Sequence, residues 1–123
     1  MKLIFIETQL FTDLVTKYID DEALRKLQSD LMGNPEKGDL VPGTGGLRKV
    51  RMAFGGKGKR GGARIIYLYL KDAAIIYLLL MYRKSKTENL SASQTKRLRE
   101  LAKQITREFH NEKKQNKRPP AGI

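Results

Sequence analysis

The apolar positions of this chain change period several times, and each change marks an element. Lys2 to Glu7 is a short strand rich in Ile, Leu and Phe. Leu10, Phe11, Leu14, Val15, Tyr18 and Ile19 then recur at helical spacing. Asp20, Asp21 and Glu22 supply an acidic start for a second helix, where the positive end of the dipole favours them. Its apolar face is Leu24, Leu27 and Leu31, and Gly33-Asn34-Pro35 ends it. The stretch from Gly38 to Gly46 holds Pro42 and four glycines and reads as a loop.

Beyond that loop the period falls to two. A second strand over Leu47 to Phe54 puts Val50, Met52 and Phe54 on one face, with Lys49 and Arg51 on the other. Gly55 to Gly62 reads as a hairpin loop, Arg64 to Leu70 as a third strand, and Lys71-Asp72 as a tight turn. A fourth strand, Ala74 to Tyr82, is apolar on both faces and is therefore expected to be covered on both sides. Ser91 and Gln94 form a capping box for a last helix, with Leu98, Leu101, Ala102, Ile105 and Phe109 as its core stripe. The order β-α-α-β-β-β-α predicts an α+β domain with a mostly antiparallel four-stranded sheet. Residues 1–112 form that domain, and 113–123 are expected to be a disordered basic tail.

Composition sharpens the picture. There is no cysteine, so disulfides and thiolate metal sites are excluded. The N-terminus shows no secretory pattern, and the longest apolar run, ten residues from Ala73 to Tyr82, is too short to span a bilayer as a helix. A cytoplasmic protein with no membrane partner is expected. The net charge of +12 is lopsided: residues 1–45 carry five basic and eight acidic side chains, whereas residues 46–123 carry twenty basic and five acidic. A one-sided basic surface concentrates polyanions, so nucleic acid is the leading partner class.

The candidate chemistry follows the charge. Between Gly46 and Arg64 lie seven basic residues and no acidic one: Arg48, Lys49, Arg51, Lys57, Lys59, Arg60 and Arg64. Glycines let a backbone approach closely, and arginine adds planar bidentate phosphate contacts. Charges that only protect a sheet edge explain one or two lysines, not seven. A second cluster, Tyr82, Arg83, Lys84 and Lys86, follows the fourth strand. Gly56 to Gly61 spells G-x-G-x-x-G, but a strand follows it where a dinucleotide site needs a helix. Tyr67, Tyr69 and Tyr77 read as packing residues. His110, the lone histidine, reads as a surface residue in a basic helix. No metal-ligand cluster, cofactor motif or Ser-His-Asp set stands out.

On these residues the sequence resembles the RelE/HigB toxins of toxin–antitoxin modules, with the HigB branch closest. The resemblance rests on Gly43-Thr44-Gly45-Gly46-Leu47-Arg48-Lys49-Val50-Arg51, on Gly56 to Tyr67, on Tyr82-x-Lys84 and on the Leu90-Ser91 helix start. It implies the RelE-like microbial-RNase fold. It also implies a ribosome-dependent endoribonuclease that cleaves translated mRNA in the ribosomal A site, giving 2′,3′-cyclic phosphate and 5′-hydroxyl ends without a metal. The implied partners are the ribosome, a neutralising antitoxin and, through the toxin–antitoxin complex alone, operator DNA.

Carried over residue by residue, the resemblance makes Lys49, Arg51, Arg64 and Lys84 catalytic. It makes Arg48, Lys57, Lys59, Arg60, Arg83 and Lys86 contacts to RNA or ribosome. RelE itself places a tyrosine near the start of its final helix; here Thr87-Glu88-Asn89-Leu90-Ser91 has none, which leaves Tyr82 and Glu88 as candidate bases. The alternatives are a non-catalytic RNA- or ribosome-binding module, which the missing base favours, and a DNA-binding regulator, disfavoured because the early helices lie in the acidic half.

Overall fold

A computed structural model describes residues 2–52, 62–83 and 90–116. The chain folds as β1 (Ile4–Glu7), α1 (Gln9–Tyr18), α2 (Asp21–Gly33), β2 (Asp39–Leu40), β3 (Arg48–Met52), β4 (Ala63–Leu70), β5 (Ile75–Arg83) and α3 (Ala92–Asn116). The α+β class holds, and among the described residues the predicted order gains one strand. The expectation of four strands is corrected to five, because Asp39–Leu40 pairs with β3 inside the stretch read as loop. Two residues beside a proline and several glycines are too few to show any period. The third-to-fourth strand turn is a single 3-10 turn, Lys71–Ala73, closed by Ala74 in the left-handed conformation at φ 55°. α3 continues to Asn116, past the start of the expected tail.

The sheet order is β1-β5-β4-β3-β2, with β1 parallel to β5 and every other pair antiparallel. The β4–β5 ladder slips once. Ile66 pairs with Leu80 but Tyr67 with Leu78, so Leu79 has no partner on β4. This is a β-bulge, in which an extra residue is inserted into one strand. The bulge is tied down from the far end of the chain. The Thr8 hydroxyl donates to the Leu79 carbonyl at 2.8 Å, and the Thr8 N–H to the Leu78 carbonyl at 3.0 Å. The same hydroxyl accepts from the Phe11 N–H at 3.0 Å, so one side chain caps α1 and holds the bulge.

Two apolar layers form because both sheet faces are covered. One packs Phe11, Val15, Leu27 and Leu31 of α1 and α2 on Val50, Met52, Ile65, Tyr67, Ile76 and Leu78. The other packs Leu98, Ala102 and Ile105 of α3 on Leu47, Ile66, Leu68 and Leu79. Each such large side chain contributes roughly 1.5–3 kcal/mol when fully buried. The helix starts are satisfied as the sequence predicts. Asp20 accepts from the Ala23 N–H at 2.7 Å, and Ser91 and Gln94 bond reciprocally at 3.1 and 2.9 Å.

Two side chains fasten loops to the sheet. The buried Tyr67 hydroxyl accepts from the Gly38 N–H at 2.9 Å and donates to the Pro35 carbonyl at 2.8 Å. Gly38 lies against that ring so closely that a Cβ would come within 2.9 Å of both the ring and the Lys49 carbonyl. Thr44, fully buried, donates to the Val41 carbonyl at 2.7 Å and accepts from the Leu47 N–H at 3.2 Å.

Candidate active site

The strand registers place three polar side chains in one row. Arg51 of β3 pairs with Arg64 of β4, and Arg64 pairs with Tyr82 of β5. Alternation sets their face. Ile66 and Leu68, in phase with Arg64, pack toward α3, while Val50 and Met52, out of phase with Arg51, pack toward α1 and α2. Tyr82 joins the same face because Leu79 and Leu80 both turn toward α3 at the bulge. Lys49 lies two pairs further along, opposite Ile66, and shares the face. The row thus crosses three strands where β4 begins and β5 ends.

Its centre is a buried cation. Arg64 is 6% exposed, and its one hydrogen bond among the described residues runs from Nη1 to the Ala63 carbonyl at 3.5 Å. No carboxylate lies within ion-pair distance of it among those residues. Burying an uncompensated guanidinium is costly, and a neighbouring arginine adds to the cost. An anion placed between Arg64 and Arg51 relieves both. Guanidinium forks match a phosphate's oxygens bidentately, so a phosphodiester is the anion the row fits best.

Tyr82 completes the arrangement. Its hydroxyl is buried and has no hydrogen-bond partner among the described residues. Burial pushes its pKa above the usual value of 10.0, with the Arg64 charge pulling the other way. The phenol therefore keeps its proton at neutral pH and has a hydrogen bond to give. Beside the row, Lys49 and Arg51 also border a cleft of about 390 Å³ on the α2 side, together with Lys26, Asp30, Lys37 and Asp39.

The structure separates two of the predicted contacts from this row. Arg48, in phase with Val50, turns to the α1–α2 side. Its guanidinium donates to the carbonyls of Gly38 at 2.7 Å and Glu36 at 3.1 Å, and pairs with the Glu36 carboxylate at 3.5 Å. It reads as a loop fastener. Arg83 also faces that side, with its guanidinium 6.0 Å from the Tyr18 ring centroid. Lys57, Lys59, Arg60, Lys84, Lys86 and Glu88 lie outside the described residues. Thr8 was not expected to matter, yet by holding the bulge it sets the face on which Tyr82 emerges; its position before an amphipathic helix is the only sign of it in the sequence.

Two comparisons bear on this arrangement. The family model for the RelE toxin of the RelE/RelB toxin–antitoxin system matches residues 3–117. Among solved structures, the fold is similar to a free-state structure of the E. coli toxin RelE carrying two arginine-to-alanine substitutions. The TM-score is 0.54 at 12% identity, covering 72% of this chain and 90% of that one.

Proposed function

Because the chain belongs to the RelE toxin family, and so is the endoribonuclease toxin of a toxin–antitoxin pair that acts on translation, we propose that it cleaves translated mRNA in the ribosomal A site. A cognate antitoxin would neutralise it, and the pair would bind operator DNA as a complex. The glycine-rich and basic middle block supports a reading nearest the HigB branch. The observation that carries the reading is Arg64: a buried arginine with no carboxylate in ion-pair distance among the described residues, in one row with Arg51 and Tyr82.

The reaction is an in-line transesterification. The message's 2′-oxygen bonds to the adjacent phosphorus as the bond to the 5′-oxygen breaks, leaving a 2′,3′-cyclic phosphate and a 5′-hydroxyl. Arg64 and Arg51 stabilise the extra negative charge on the pentavalent phosphate. They supply the positive charge from side chains, so the step needs no metal. A phenol with a raised pKa stays protonated at neutral pH and is not available as a base, so Tyr82 is moved from candidate base to the group that protonates the departing 5′-oxygen. The proton of the 2′-hydroxyl passes to the Glu88 carboxylate, or to Lys49 or Lys84 in its neutral amine form. Ribosomal positioning of the message supplies the alignment.

The test is a primer-extension map of cellular mRNA after brief induction, for the native protein and Arg64→Ala. Cuts confined to translated regions, lost in a folded Arg64→Ala, support the reading. Ribosome binding with intact message would assign the protein to the non-catalytic class instead.

A further inference from the structure

The catalytic row does not use the outer face of α3. Lys96, Arg99, Lys103, Arg107 and His110 follow one another at steps of three or four residues, which places them in a single line along the helix. The line is about 21 Å long at 1.5 Å per residue. All are exposed except Arg99, which is half-buried and reaches the Gly43 carbonyl at 3.5 Å. Among the described residues none of the four Lys and Arg side chains has a carboxylate within 4.0 Å. Exposed helices ordinarily lace such charges with acidic residues three or four positions away; here Glu100 has that spacing to Lys96 and Lys103 without pairing with either, and Glu108 stands off the line.

The line also borders a concavity. A cleft of about 360 Å³ lies between α3 and the loop before β3, lined by Thr44, Gly45, Lys103, Thr106, Arg107 and His110. Gly45, at φ +74°, has no heavy atom within 4 Å of where a Cβ would stand, so its backbone is open to an incoming group. The buried Thr44 holds this loop in place through its bonds to Val41 and Leu47. α3 and the catalytic row lie on the same side of the sheet, opposite the acidic α1–α2 layer.

From this geometry we infer that the α3 face is a docking surface for the backbone of double-helical RNA, separate from the row that cuts the message. A straight helix with evenly spaced cations suits a rigid phosphate ridge. Single-strand sites instead need aromatic platforms; the nearest ring, Phe109, is turned inward against Tyr77 with centroids 6.4 Å apart. Double-stranded RNA is recognised chiefly through its backbone and shape, which needs no base-reading residue on α3. The inference deepens the proposed function, since it assigns to α3 the ribosome's structured RNA and leaves the single-stranded message to the Arg51–Arg64–Tyr82 row.

The experiment uses the full chain, a blunt RNA duplex and an unstructured single strand of equal length, with binding followed by fluorescence anisotropy across a salt series. Lys103→Glu with Arg107→Glu is expected to weaken duplex binding by on the order of tenfold or more and to flatten its log–log salt slope by about two. Single-strand binding is expected to be little changed. Arg51→Ala with Arg64→Ala should show the reverse pattern. Duplex binding that survives the α3 reversal overturns the inference, as does an α3 reversal that weakens both RNAs equally. Vesicles of anionic lipid and an acidic polypeptide serve as competitors; duplex that stays bound to the wild type in the presence of either supports RNA backbone as the occupant, and preferential binding of either competitor overturns it. Because no cleavage is read, an inactive native protein would sink the proposed function while leaving this result interpretable.

Discussion

Arg51 and Arg64 stand directly opposite each other across the β3–β4 ladder. Like charges in that relationship are destabilising, by up to about 1 kcal/mol for an ordinary exposed pair. Here one member is also buried. Packing alone gives no reason to place two guanidinium groups there, and a bound phosphate does.

Stability and activity should therefore part company at Arg64. Arg64→Met keeps the stem and removes the charge. Urea unfolding should show stability unchanged or raised by on the order of 1 kcal/mol, while message cleavage falls at least about a hundredfold. A clear loss of stability with retained cleavage would make Arg64 a structural residue.

Tyr82 is the second case. Tyr82→Phe removes a buried hydroxyl that has no partner among the described residues, so folding should lose little. Cleavage should drop by about 10²–10⁴, the range for a lost proton-transfer group. The native enzyme should lose activity as the phenol ionises above its raised pKa, and the residual activity of the variant should lack that alkaline fall. A variant that cleaves at the native rate would remove Tyr82 from the mechanism.

At Tyr67 the expectation is the opposite, a large structural effect. Tyr67→Phe abandons the buried Gly38 N–H and the Pro35 carbonyl, at about 1–3 kcal/mol. Burial also raises the Tyr67 pKa above 10.0, ahead of the weaker pull from its bond to Gly38. A raised folded-state value means the fold favours the protonated phenol. That contribution is complete below pH 10 and is lost as pH climbs through the folded value. Denaturation curves taken from pH 8 upward should show this decline in the native chain and a shallower one in Tyr67→Phe.

Ala74 holds the turn between β4 and β5 at φ 55°, ψ 45°. An alanine there bears a left-handed strain of about 1–2 kcal/mol that glycine avoids. Glycine's freer unfolded chain offsets part of the gain. Ala74→Gly should raise stability by roughly 0.5–1 kcal/mol, read as a shift in the urea midpoint at constant slope. No change or a decrease would mean the strain is relieved elsewhere in the turn.

Much of this was legible in the sequence for a simple reason: period follows burial. The alternation of Val50 and Met52 with Lys49 and Arg51 was enough to place both cations on one face, and the Ser91–Gln94 pattern announced α3. What stayed hidden depended on partners distant in the chain. Arg48 belongs to the same basic run, but its phase turns it to the Glu36–Gly38 loop, where charge counting has no purchase. β2 is too short for any pattern. Tyr82 and Arg83 appeared as neighbours in one cluster; alternation sends them to opposite sides of the sheet, and the slip at Leu79 decides which of the two lies beside Arg64.

That slip makes β5 behave like a reading frame. Had every residue of the strand alternated with no slip, Tyr82 would fall in phase with Leu78 and emerge beneath α1, and Met81 would take its place beside Arg64. Loss of Leu79 alone would close the slip and keep Tyr82 opposite Arg64, whereas a regular ladder through every residue from Leu78 to Met81 would exchange the roles of the two faces.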